Sequence, residues 1–240
     1  MILVIPCYNE EKRLDGEGFS RIVQTSPLSL LFVDDGSTDQ TGAMITGLLS
    51  SIPGRGEMIR LPRNAGKGEA VRRGMLHAIS ASPEIIGYAD ADLSTPPDEI
   101  VRIAQIAMDR PESVVMGSRV RLLGREIQRT PLRHYAGRVF ATAASLALRL
   151  PVYDTQCGAK FFRATSSLAS AISRPFTSRW GFDVELISRL LLEGYGSSDF
   201  LEVPLLVWRD VGGSKLRLLP AIGAGIHLVR VGIQTRRGRG

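Results

Sequence analysis

The chain has 240 residues, of which 44% are hydrophobic and 22% charged, and a formal net charge of +6. This is the composition of one large globular domain, and it excludes a disordered chain because there is ample apolar surface to bury. No run approaches the ~18 consecutive apolar residues of a membrane-crossing helix, and two cysteines, Cys7 and Cys157, are too few for a disulfide framework or a cysteine-based zinc site.

The first half alternates strand and helix signals. Residues 2–5 are a continuous apolar run stopped by Pro6, which reads as a buried strand. The run has neither a basic flank nor a small-residue cleavage site, so no secretory leader is expected, and a reduced, cytoplasmic setting is. Residues 28–33 form a second strand ending in Asp34-Asp35-Gly36, and 38–51 a helix. Strand 58–61 is stopped by Pro62, and a helix follows over 66–82. Strand 85–89 ends in Asp90-Ala91-Asp92. Pro96-Pro97 opens a helix through 109, proline being at home in a first turn, and 114–116 is a fifth strand. Such alternation predicts an α/β fold with a mostly parallel central sheet flanked by helices.

Beyond 116 the signal is charge. Residues 119–149 hold seven arginines against Glu126, a balance of +6, and 211–240 hold six cations and no acid, again +6. The remainder of the chain is therefore net acidic, at −6. Apolar residues recur at helical spacing over 132–150 and over 219–233. A basic, amphipathic helix suits an anionic membrane surface, but equally a core helix with a solvated basic face, and periodicity does not separate the two. Nucleic acid is not expected, because aromatic residues are not interleaved with the basic ones. The expected organisation is a catalytic domain over 1–215, with 119–150 as an insertion-like helical segment, and a basic amphipathic tail over 216–240.

In parallel sheets ligands bind beyond the carboxyl ends of the strands, and the polar clusters fall there: Pro6-Cys7-Tyr8-Asn9-Glu10-Glu11, Asp34 to Asp39, Asn64-Ala65-Gly66-Lys67-Gly68, and Asp90-Ala91-Asp92. In extended geometry Asp90 and Asp92 point to one side, as suits a hard cation such as Mg2+ or Mn2+. The competing reading is a polar turn with Asp92 capping a helix. Tyr8 can stack on a base, and an acid of the 34–35 pair can accept hydrogen bonds from a nucleoside. The Gly66-Lys67-Gly68 turn can present a cation and backbone N–H groups to an anion, without the P-loop pattern of an ATPase. Cys157 reads as a small buried hydrophobe, Trp208 as core, and Trp180 as core or as a platform under a sugar.

These four blocks, in this order, resemble glycosyltransferase family 2, the inverting enzymes with a Rossmann-like GT-A fold. Met116-Gly117-Ser118-Arg119, Asp154 to Phe162 and Arg179 to Glu185 extend the resemblance to about residue 215. They point to the branch of the dolichyl-phosphate glucosyltransferases and dolichyl-phosphate mannose synthases, with the glucosyltransferases favoured. The resemblance implies a nucleotide-diphospho-sugar donor, UDP-glucose favoured and GDP-mannose possible, held by Pro6, Tyr8, Glu10, Asp34, Asp35, Lys67 and Asp90. It implies Mn2+ or Mg2+ on Asp92, with Asp90 beside it. The mannose synthases have a Gln two residues after the second Asp, where this chain has Ser94, so a third protein ligand is in doubt. Arg119, with Arg133, would meet the phosphate of a polyprenyl acceptor. If the acceptor were a sugar hydroxyl instead, Asp183 would be the base. Any membrane contact would be peripheral, on the cytoplasmic face, and Gly212 to Lys215 would suit a lid.

Overall fold

A computed structural model describes residues 1–128, 131–178 and 181–211, with the side chains of 131–134 and 136 left aside. The first half contains β1 (Ile2–Cys7), α1 (Gly16–Thr25), β2 (Ser29–Asp34), α2 (Thr41–Ser51), β3 (Gly56–Arg60), α3 (Lys67–Ser80), β4 (Ile85–Tyr88), α4 (Pro97–Asp109) and β5 (Val114–Ser118). The second half contains β6 (Glu126–Gln128), α5 (Pro131–Leu148), β7 (Lys160–Arg163), α6 (Ser166–Ile172), α7 (Phe182–Leu192), β8 (Phe200–Pro204) and β9 (Val207–Arg209).

The main sheet runs β3-β2-β1-β4-β7-β5-β8. All its pairings are parallel except those of β7, which lies antiparallel between β4 and β5. β1 sits near the centre, and its Leu3, Val4 and Ile5 are fully buried, as a strand covered on both faces must be. One face carries a core of Phe19, Phe32, Ile45, Ile100 and Ile103, from the sheet, α1, α2 and α4. The other face carries Val71, Met75, Tyr88, Phe162, Phe182 and Leu190, from the sheet, α3 and α7. Each such side chain taken from water contributes about 1.5–3 kcal/mol. Closing the sheet between two helical layers is therefore the dominant favourable term.

The α/β expectation holds, and the first five strands stand where the apolar runs place them. Three readings are corrected. Helix α1 has no counterpart in the sequence reading, because Gly16 and Gly18 depress its propensity; it forms because Asp15 caps Gly18 N at 3.0 Å and Phe19, Ile22 and Val23 pack on the sheet. The 119–150 segment is not wholly helical: β6 within it pairs with β9 in a two-stranded parallel sheet, Ile127 opposite Trp208. Third, β4 ends at Tyr88, so Asp90-Ala91-Asp92 is not extended; Leu93 N donates to Asp90 O at 3.3 Å and Leu93 takes a φ of 48°. The tail over 216–240 and the lid at 212–215 lie outside the described residues. No described helix is long and apolar enough to cross a membrane.

Candidate active site

The site is built where β1, β2, β4 and β5 end. Asp34 and Asp35, adjacent in sequence, do different things. Asp34 is buried, takes Ser37 N on Oδ1 at 2.8 Å and pairs through Oδ2 with Arg60 at 3.2 Å. It holds the turn after β2. Asp35 accepts three N–H groups from the next loop: Asn64 Nδ2 at 3.0 Å, Ala65 N at 2.8 Å and Gly66 N at 2.8 Å. That loop leads directly into α3, whose first residue is Lys67. One carboxylate thus positions the cation of the neighbouring loop.

Lys67 Nζ pairs with Asp90 Oδ1. Burial alone would lower the Lys67 pKa, but the charges of Asp90, Asp183 and Asp92 outweigh it and hold the ammonium above the ordinary lysine value. Burial likewise would raise the Asp90 carboxyl, but Lys67, then Arg119 and Lys160, hold it below the usual range. Asp90 is the centre of a cleft where cations and carboxylates from four parts of the chain feel one another. Its other oxygen lies against Gly158, where any Cβ would overlap the carboxylate. Gly158→Ala is therefore expected to displace Asp90 and cut activity at least tenfold while thermal stability changes little; unchanged kinetics in the purified variant would refute the cradle.

Asp92 faces the other way along the turn. Its Oδ1 takes Ser94 N at 3.1 Å and Ser94 Oγ at 2.8 Å, and its Oδ2 stands 3.6 Å from Arg13. Arg13 in turn grips Glu10 at 2.6 Å, and Glu10 N donates to Thr41 Oγ1 at 2.7 Å. Glu10 is therefore linked to Asp92 through an arginine that the sequence reading passed over. Pro6 lies in β1 opposite Val33, and the half-buried Tyr8 follows that strand. Among the described residues no three His, Cys, Asp or Glu side chains converge as a metal cage.

Arg119, the residue after β5, is clamped by Asp154: Nε to Oδ2 at 2.6 Å and Nη2 to Oδ1 at 2.8 Å. Burial would weaken its charge, but Asp154 strengthens it and raises the pKa further above its ordinary value. Glu202 of β8 fixes the clamp from behind, accepting Tyr153 N at 2.6 Å and Asp154 N at 2.8 Å. Arg119 and Asp154 open onto a shallow groove whose other wall is Gly137, Arg138, Phe140 and Ala141 of α5. Arg138 stacks 3.5 Å from the Tyr153 ring. The Arg133 side chain and Trp180 lie outside the described residues.

Asp183 opens α7. Its Oδ1 accepts the Tyr88 hydroxyl and Lys160 Nζ at 2.7 Å. Lys160 is fully buried and also donates to Cys157 O at 2.6 Å. Sequence reasoning missed Lys160, Tyr88, Arg13 and the Asp154 clamp. Lys160 and Asp154 lay within a quoted block, but nothing in their spacing announces an ion pair with residues 23 or 35 positions away. Cys157 and Trp208 are buried as expected.

Charge in the cleft should be constant near neutrality. Asp90, held low, contributes stability above its unfolded value of about 3.9 and loses it as pH falls through its folded value. Lys67, held high, contributes below about 10.4 and loses it as pH rises through its folded value. The Tm difference between the native chain and Asp90→Asn is expected to be flat from about pH 5 to 9 and to shrink below about pH 4. A slope near neutrality would contradict this assignment.

The sequence profile of Glycosyl transferase family 2 matches residues 2–168. A dolichyl-phosphate beta-glucosyltransferase of Trichomonas vaginalis is 32% identical over 249 aligned residues, spanning 98% of this chain and 71% of that protein. The dolichyl-phosphate beta-glucosyltransferase of Homo sapiens is 30% identical, spanning 89% of this chain and 68% of its own. Among solved structures, glucosyl-3-phosphoglycerate synthase from Mycobacterium tuberculosis in complex with UDP has a TM-score of 0.68 at 21% identity, covering 99% of this chain and 79% of that one. The likeness in structure shows the fold, the GT-A arrangement expected from the motifs.

Proposed function

Because the chain belongs to glycosyl transferase family 2 and is a hexosyltransferase, we propose that it moves glucose from UDP-glucose to a polyprenyl phosphate of the dolichyl type, with inversion. GDP-mannose is the second donor to test. The observation that carries the reading is Arg119: a half-buried, carboxylate-clamped guanidinium within reach of the charge of Asp90, at the mouth of a groove running to α5. A guanidinium matches a phosphate dianion by geometry as well as charge. Relatives named for a dolichyl-phosphate acceptor, at 30–32% identity, support it.

In this reading Tyr8, Glu10, Asp35 and Asp90 seat the donor nucleotide, with Pro6 and Asp34 shaping the strand ends around it. Asp92 and Asp90 offer hard oxygen donors, and among the described residues Asp92 Oδ2 has only the distant Arg13 on it. These suit Mg2+ or Mn2+, which accept one or two carboxylates and take the rest of their shell from phosphate and water. Such an ion, when bound, offsets charge on the leaving diphosphate. Lys67, paired with Asp90, adds a fixed cation. Arg119, with Arg133 proposed as a second contact, aligns the acceptor phosphate with the anomeric carbon. The phosphate oxygen forms the new bond to carbon, the bond to the diphosphate breaks, and its electron pair leaves with the nucleotide. A phosphate monoester has its second pKa near ~6, so it arrives ionised and needs no base. Asp183, already paired with Lys160, then serves to hold the cleft. The enzyme is proposed to work peripherally on the cytoplasmic membrane face.

The test is transfer from UDP-glucose or GDP-mannose to a short-chain polyprenyl phosphate, with UDP and GDP as sugar-free controls, with and without Mn2+, following the glycolipid by mass. A glucosyl product that is lost on chelation and in Asp92→Ala is expected. Transfer to a sugar hydroxyl alone, abolished by Asp183→Asn, would replace this reading.

A further inference from the structure

The segment between Arg119 and β6 is a turn with its apolar side chains outward. It reads Arg121-Leu122-Leu123-Gly124-Arg125, and every one of the five is exposed. Leu123 is fully exposed at 103% and Leu122 at 46%. This is not a frayed end. Arg125 N donates to Leu122 O at 3.2 Å, and Gly124 takes a φ of 75°, which a glycine adopts at the third position of a tight turn without strain. One arm is pinned by the Arg119–Asp154 clamp. The other is pinned by Glu126 N on Leu206 O at 2.8 Å and by the β6–β9 ladder. Two leucines are thus displayed on a built tip, with an arginine on either side.

A second exposed apolar surface lies on the outer side of α5. On α5, Tyr135, Val139 and Leu146 are 70%, 73% and 73% exposed. At 100° per residue these three fall within about 40° of one another, so they form one stripe along the helix. Arg149 lies exposed just past its end. Ala141, Ala144 and Leu148, on the opposite side, are buried. The stripe therefore faces away from the groove, whose α5 wall is Gly137, Arg138, Phe140 and Ala141, while the tip follows directly in the chain from Arg119 on the groove's other wall.

We propose that the Leu122–Leu123 tip inserts into an anionic lipid leaflet, at the Arg119 end of the groove. The charge pattern selects this occupant: arginines beside exposed leucines complement anionic headgroups over an apolar interior, whereas a second copy meeting it tip to tip would set like charges against each other. The inference rests on the proposed acceptor only for its purpose. A lipid phosphate lifted from the leaflet would meet Arg119 at the base of the tip, without the polyprenyl chain having to leave the bilayer.

The test is flotation of the full chain with vesicles of phosphatidylcholine containing 30% phosphatidylserine, and with phosphatidylcholine alone. Binding to the anionic vesicles is expected, weakening with salt. Leu122→Ser/Leu123→Ser is expected to bind roughly ten- to hundredfold more weakly, equivalent to the loss of one fully inserted leucine, while Met44→Ser on α2 binds as the native chain does. Arg121→Gln/Arg125→Gln should lose the preference for anionic vesicles. In a separate variant, Leu123→Trp, the added emission should shift to the blue on vesicles. Undiminished flotation of the double serine variant, or a spectrum that does not move, overturns the proposal, as does self-association of the native chain that the serine variant abolishes. Transfer to a short, water-soluble polyprenyl phosphate separates the two readings. The serine variant should retain it, and a native chain that floats through its tip but glycosylates no polyprenyl phosphate would defeat the acceptor while leaving the tip in place.

Discussion

Lys160→Met is expected to destabilise the protein by about 3–5 kcal/mol, because it leaves the Asp183 carboxylate buried without its counter-charge. The ammonium is sealed, its side chain 1% exposed, and Asp183 is 8% exposed. Water cannot stand in for the missing partner. Lys160 also donates to Cys157 O, so its loss loosens the strand entry that carries Gly158 against Asp90. Stability and activity should fall together. The double variant Lys160→Met/Asp183→Leu removes both charges and is expected to recover a large part of the loss, though not all. The Tyr88 hydroxyl would then be buried without an acceptor, at a cost of about 1–3 kcal/mol. Urea unfolding of the two singles and the double closes the cycle. A single variant within about 1 kcal/mol of the native chain would mean that the pair is solvated and the burial argument wrong.

Arg119→Gln should lower transfer to a phosphate acceptor by about 10²–10³-fold, the usual cost of removing one preorganised donor from a developing or bound anion. Donor binding should change much less, since Lys67 and Asp90 are held by each other and Asp35 by the Asn64–Gly66 loop, not by Arg119. Lysine is not expected to rescue, because it cannot reproduce the two-point contact with Asp154. Steady-state kinetics with the acceptor varied, beside a thermal-shift titration with nucleotide, separates the two effects. Equal loss of nucleotide binding would move Arg119 into the donor site. Asp154→Asn should reproduce the acceptor defect in milder form, by releasing the guanidinium rather than deleting it.

Both variants touch residues of unequal visibility in the sequence. Arg119 was legible from the motif after β5, as were Lys67, Asp35 and the Asp90-Ala91-Asp92 turn from their places after apolar runs. Their partners were not. Asp154 lies 35 residues from Arg119 and Lys160 lies 23 from Asp183. Each meets its partner only because β7 is threaded antiparallel between β4 and β5. No periodicity encodes that insertion. The expectation that Asp90 and Asp92 act from one side of a strand failed for a related reason: β4 stops at Tyr88, and the turn sends Asp90 to Lys67 and Asp92 toward Arg13.

The amino-acid sequence alone determined the alternating α/β architecture and the strand ends at which chemistry collects. It also determined the two basic stretches, since these depend on local runs of apolar, turn-forming and charged residues. The tertiary structure decided which charges face each other, that Asp35 positions Lys67 through the intervening loop, and that Leu122 and Leu123 point outward beside the groove. Ion pairing and exposure are set by distances through space, and residues far apart in the chain acquire those distances only when the sheet closes between its two helical layers.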